Sequence, residues 1–168
     1  MNEQDIKSLV TRLQTLEDQA AITQIILTHP LAVDGGANEF WLSQWAEYAV
    51  IDRPVDKERH SGDMPTTYGK EGLRLEVNSP ELNALRQSGM CHFGTAPRIQ
   101  VNGDKASATN YLQLMVLDKA SMAYKLMFLL INHWELRRAN GQWKISKRVI
   151  RGVGQPEGLV LTTETMPK

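Results

Sequence analysis

Two Asn-Gly pairs, Asn102-Gly103 and Asn140-Gly141, constrain this chain more than any other feature, because each sits between long runs rich in apolar, β-branched and aromatic residues. Asn-Gly supplies the positive φ that a tight hairpin needs, so the flanking runs are expected to be antiparallel strands. Residues 90–101, 105–117, 123–139 and 143–153 then form a strongly curved meander. The first part of the chain has a different texture. Over residues 6–26, Ile6, Leu9, Val10, Leu13, Leu16, Ala20, Ile22, Ile25 and Ile26 recur mostly at three- and four-residue steps, the pattern of a helix packed on one face, either two helices or one bent helix. Helices first and strands afterwards argue an α+β fold, with the N-terminal helices packed in a strongly curved antiparallel sheet. Such a sheet makes a cone-shaped α+β barrel whose open mouth is a natural small-molecule site.

The 168 residues fit a single domain, 1–168, long enough to bury about 70% of the surface exposed by the unfolded chain. Nineteen basic residues balance nineteen acidic ones without a long block of either sign, which argues against nucleic acid and anionic membrane as partners. One cysteine, Cys91, excludes an intramolecular disulfide framework and a multi-thiolate metal site. The early Glu3 and Asp5 do not suit a secretory signal, and no run approaches the roughly 20 apolar residues of a membrane span, so a cytoplasmic location is expected.

The helical pattern stops at His29-Pro30-Leu-Ala-Val-Asp34-Gly-Gly. Pro30 removes a backbone donor and disfavours the α region at His29, so the helix is expected to end or kink there. His29 follows Ile22 and Ile25 at helical spacing and looks inward if the helix persists. Asp34 or Asn38 is the expected N-cap of a short helix carrying Phe40, Trp41 and Trp45. Residues 46–52 read as a strand, 56–68 as a polar loop long enough for a lid, and 69–77 and 80–87 as short helices. The tail, about 155–168, lacks periodicity and is expected to be mobile or used in subunit contact.

His92, opening the meander, is the candidate general base. A carboxylate that accepts one ring N–H fixes the tautomer and leaves the other nitrogen to take a proton, and Asp34 is the candidate partner, with a helix cap as its alternative role. Cys91 should face the other side of the strand from His92 and reads as packing. His29, His60, His92 and His133 lack metal-ligand spacing, so no metal is expected. Arg148 could bind a carbonyl, hydroxyl or leaving anion. Parity, however, puts Trp143, Ile145 and Arg151 on one side of their strand and Arg148 on the other, so Arg148 reaches a cavity lined by Trp143 and Ile145 only through a bulge or from the strand's end. Trp41, Tyr111, Asn132, Met115 and Phe128 are the candidate substrate-binding residues.

The order of these parts resembles the SnoaL-like family of the nuclear transport factor 2-like superfamily, which includes polyketide cyclases, dehydratases and hexachlorocyclohexane dehydrochlorinase. The resemblance covers roughly residues 10–152. Its carriers are Leu16-Glu-Asp-Gln-Ala-Ala-Ile22, Ala32-Val-Asp34-Gly-Gly, His92-Phe-Gly-Thr95, Val101-Asn-Gly-Asp-Lys-Ala106 and Gly141-Gln-Trp-Lys-Ile-Ser-Lys-Arg148. It implies Asp34 and His92 as a catalytic dyad and Arg148 as the residue holding substrate or leaving group. His29 stands where relatives often carry tyrosine or lysine, which marks it as the position where substrate identity would be decided. The expected function is a lyase or isomerase without cofactor, acting on a hydrophobic small molecule such as a steroid, polyketide or terpenoid. The alternative is a non-catalytic binding or subunit protein of the same fold. A homodimer or homotrimer is expected, because the outer face of a curved sheet with alternating apolar residues needs cover.

Overall fold

The computed structural model describes residues 2–53 and 66–166. Three elements precede the gap: helix α1, Glu3–Asp34; helix α2, Asn38–Ser43; and strand β1, Trp45–Asp52. After it come β2, Thr67–Tyr68, the helices α3, Gly69–Val77, and α4, Pro80–Gln87, then β3, Cys91–Gly94, β4, Arg98–Asn102, β5, Lys105–Asp118, β6, Ala123–Ala139, β7, Gln142–Gly152, and a final helix α5, Pro156–Glu164. The expected lid loop falls mostly outside the described residues, as does His60; its last two residues form β2 against β1. The tail is not irregular: α5 covers most of it, with Pro156 at the first helical turn where its missing N–H costs nothing.

The sheet runs β2-β1-β7-β6-β5-β3, with β4 also paired to β5, and it curves without closing. All pairings are antiparallel except β1 with β7, which is parallel. Both Asn-Gly hairpins form. Asn140 and Gly141 both take positive φ, whereas in the first hairpin only Gly103 does and Asn102 ends β4. The single strand expected over residues 90–101 is divided in two, because Pro97 has no N–H for the ladder. Gly94 pairs with Leu112 but Arg98 with Thr109, so one extra residue is taken up between β3 and β4.

Helix α1 is one 32-residue helix that runs through Pro30, the residue expected to end it. Pro30 cannot donate its intrahelical bond, and burial of Ile22, Ile26, His29 and Ala32 on the sheet's concave face outweighs that loss. The expected one-faced packing of the helix holds only from Asp18 onward. At Asp18 the carboxylate accepts from Arg138 Nη2 (2.6 Å) and Trp143 Nε1 (3.1 Å), pinning α1 to the end of the β6–β7 hairpin. Beyond that hairpin no strand among the described residues lies under the helix, and every residue from Glu3 to Glu17 is exposed. The core joins Ile22 and Ile26 to Trp41, Leu42, Trp45, Ile51, Leu73, Val77, Trp134, Leu136 and Ile145.

Candidate functional site

Asp34 is the last residue of α1 and does not cap α2, whose N-cap is Ala37 without a side-chain bond. A carboxylate at a helix C-terminus faces the negative end of the macrodipole, so local helix energetics disfavour it there. What holds it is 58 residues away in sequence. Oδ2 accepts the backbone N–H of His92 at 2.7 Å, and Oδ1 lies 2.6 Å from His92 Nδ1. Since an ionised carboxylate can only accept, Nδ1 carries the proton and Nε2 presents its lone pair. Nε2 has no hydrogen-bond partner among the described residues, and both side chains are 17% exposed, so the pair is reached by solvent.

The helix end that carries Asp34 is clamped by Arg86, a residue that the sequence did not single out. Its Nε donates to Val33 O at 2.6 Å, and its Nη groups donate to Asn38 and Asn83 side chains and to Val77 O. Burial lowers the Arg86 pKa, and the nearby Asp34 charge partly restores it. The only sequence signal was its place near the end of α4, where a basic residue is ordinary.

The cross-strand register sorts the remaining candidates by face, because directly opposed residues point the same way. His92, Leu114 and Phe128 are opposed in turn, as are Gly94, Leu112 and Leu130, then Asn110, Asn132 and Ile150. The concave face therefore grades from an apolar wall beside His92 to a polar floor at Asn110, Asn132 and Trp134. Phe128 belongs to that wall. Tyr111 and Met115 do not: with Phe93, Thr95 and Gln113 they line a groove on the outer face, so these two expected substrate contacts lie on the other side of the sheet from His92. Alternation had offered no way to choose the face for either. Cys91 is on the outer side of β3, as parity requires, and burial raises its thiol pKa, which suits packing.

Arg148 reaches the concave face by the bulge its strand requires. Ile145 pairs with Leu136 and Lys147 with the adjacent Glu135, leaving Ser146 as the extra residue, its hydroxyl donating to Glu135 O at 3.0 Å. Past the bulge Arg148 opposes Trp134 and shares the face of Ile145. Arg148 is 8% exposed, and its guanidinium stacks 4.7 Å from the Trp134 ring centroid. Nε donates to Asn132 Oδ1 at 2.9 Å and Nη1 to His29 Nε2 at 3.0 Å. No carboxylate among the described residues pairs with it, and burial together with the like charge of Arg53 pushes its pKa down to about 9, still cationic at neutral pH.

His29 is 3% exposed and lies beneath Arg148, in ring contact with Trp41, Trp45 and Trp134. The Trp41 indole N–H lies 3.0 Å from its Nδ1. Burial first, then the charges of Arg148 and His92, hold its pKa well below the usual 6.5, so the ring is neutral. His29, Trp41 and Asn132 are therefore supports of Arg148 with almost no surface of their own. Two buried donors nearby, Asn132 Nδ2 and Trp45 Nε1, have no acceptor among the described residues. Trp134 Nε1 donates to Asn110 Oδ1 (2.9 Å), whose amide donates to Thr95 O. The floor is thus rich in donors, carries one positive charge, and is poor in acceptors. Among the described residues no three His, Cys, Asp or Glu side chains converge as metal ligands.

Known structures share this architecture. A nuclear transport factor 2-like protein with a cystatin-like fold from Novosphingobium aromaticivorans is 22% identical with a TM-score of 0.84, over 95% of this chain and 98% of that one. Hexachlorocyclohexane dehydrochlorinase LinA-type3 from Novosphingobium barchaimii is 23% identical with a TM-score of 0.68, over 84% and 90%. No curated protein matches the chain. The model of the SnoaL-like domain matches residues 14–149, the span that holds the Asp34–His92 pair, the meander and Arg148, and the chain belongs to that family.

Proposed function

We propose that this protein is a lyase or isomerase that removes a proton from a hydrophobic small molecule of the steroid, polyketide or terpenoid kind. The observation that carries the reading is the two-point grip of Asp34 on a partly exposed His92, which leaves Nε2 without a partner among the described residues. His92 Nε2 takes a proton next to a carbonyl or β to a leaving group, and Asp34 stabilises the imidazolium that results. The apolar wall of Leu112, Leu114, Phe128 and Leu130 suits a hydrophobic substrate. Arg148, cationic and without a carboxylate partner among the described residues, stabilises the enolate oxygen or the departing anion. His29 acts through Arg148, as the neutral acceptor that fixes its Nη1. Proton transfer of this kind asks for no cofactor. The likeness to a dehydrochlorinase, an enzyme that eliminates, supports this reaction class.

The test begins with a thermal-shift screen of apolar ketones and alcohols, since a ligand that binds only the native state raises the melting temperature. Each stabilising ketone is then incubated in D2O and followed by NMR for exchange at the carbon next to the carbonyl, and each stabilising alcohol for loss of water. Exchange or elimination that falls by two to four orders of magnitude in His92→Ala is the expected result. Ligands that bind with no reaction, or a reaction indifferent to His92, would favour a non-catalytic binding protein.

A further inference from the structure

The exposed first half of α1 is built for a helical partner, and this conclusion does not depend on the catalytic reading. The arm begins with a complete capping box, in which the Asn2 side chain accepts from Asp5 N–H and the Asp5 carboxylate from Asn2 N–H. A Lys7–Glu3 pair at 2.8 Å follows one turn on. Yet an isolated helix of about fifteen residues is marginal in water. Along the arm Ile6, Leu9, Leu13 and Leu16 are 46–62% exposed. Their steps of three, four and three residues put them at successive a and d positions of a heptad, with Val10, 60% exposed, as the one apolar e residue beside them. The seam continues as Ala20, Thr23 and Leu27 along the domain, where Ala20 and Leu27 are also exposed. The arm mostly precedes residue 14, where the family match begins.

We infer that the arm pairs with the arm of a second copy of this chain as a parallel two-stranded coiled coil. The flanking charges select both partner and direction. With Ile6 and Leu13 at a, Arg12 occupies g and Glu17 the following e, so a parallel in-register pair sets Arg12 of each copy against Glu17 of the other, twice. The remaining g–e pair, Asp5 with Val10, carries no like-charge contact. An antiparallel pair that overlaps the same four apolar layers instead sets Arg12 against Arg12 and Glu3 against Glu17. A partner sheet face would satisfy neither the heptad seam nor these charges.

Sedimentation velocity of the full chain over a concentration series tests this. The expected wild-type result is a reversible dimer, and Leu9→Glu/Leu13→Glu is expected to raise its Kd more than about a hundredfold by placing carboxylates in the seam. Both residues are exposed in the single chain, so the thermal midpoint of the domain should persist once the dimer is lost. Arg12→Glu and Glu17→Arg are each expected to weaken the dimer about fivefold, and the double variant to restore it. A monomer at every concentration overturns the proposal. So does an assembly indifferent to the seam substitutions, which would place the interface on the outer sheet face, or a charge-swapped double variant no tighter than the single ones.

Discussion

Asp34→Asn isolates the electrostatic half of the dyad with almost no change in shape. The asparagine oxygen can still accept the His92 backbone N–H, so β3 should stay docked on the end of α1. Its amide N–H2 now faces His92 Nδ1, which must become the acceptor, and the proton moves to Nε2, the atom that has to be a base. The lost attraction is calculable. An imidazolium and a carboxylate in contact at 2.6 Å have charge centres about 4 Å apart, and at an effective dielectric constant of about 20 they attract by about 4 kcal/mol. Each 1.4 kcal/mol is a decade, so the proton-transfer rate should fall about a thousandfold. The assay is isotope exchange into a bound ketone under saturating ligand, with the thermal midpoint as control for folding. A variant that keeps its midpoint and exchanges within about fivefold of the wild type would refute the role given to Asp34.

Two further predictions concern the supports. Asp18→Asn should destabilise the fold by about 1–3 kcal/mol at neutral pH, because Arg138 loses its buried charged partner, as urea unfolding would show. The Asp18 pKa is lowered, chiefly by the Arg138 hydrogen bond, so its contribution is fully present above the ordinary value of 3.8 and is lost as pH falls through the lower folded value; the variant should show a flatter loss of stability in that acid range. His29→Leu removes the acceptor of Arg148 Nη1, leaving a buried charged donor unpaired at about 1–3 kcal/mol. Turnover should fall with the substrate's need for Arg148, as the same isotope-exchange assay would show; unchanged turnover would remove the supporting role given to His29.

Some of the site was legible because its signals are local. The Asn-Gly turns announce the hairpins, helical spacing turns His29 inward, and alternation puts Cys91 and His92 on opposite sides of one strand. Arg148 was legible only as a conditional, since whether a bulge exists depends on how Glu135 and Leu136 meet the neighbouring strand. The substrate contacts were less accessible. Tyr111 and Leu112 alternate equally well in either orientation, and only the helix lying on one face of the sheet makes that face the inside. Trp41 and Asn132 were recognisable as polar-tipped residues near the right segments, but their partners, His29 and Arg148, lie on other elements.

By itself the sequence determined the element types, the turns, the absence of a net charge and the residue chemistry available at Asp34, His92 and Arg148, because propensity, periodicity and ionisation are properties of short stretches. Tertiary structure decided which polar groups are paired and which are left with work to do. In the sequence Asp34 could be the partner of His92 or a helix cap, and β3 laid across the end of α1 brings it to His92. The apolar stripe of α1 looked like core until the sheet proved to end at Asp18, leaving the arm exposed. Both outcomes depend on contacts between residues far apart in the chain, whose free energies exceed the local preferences that a sequence displays.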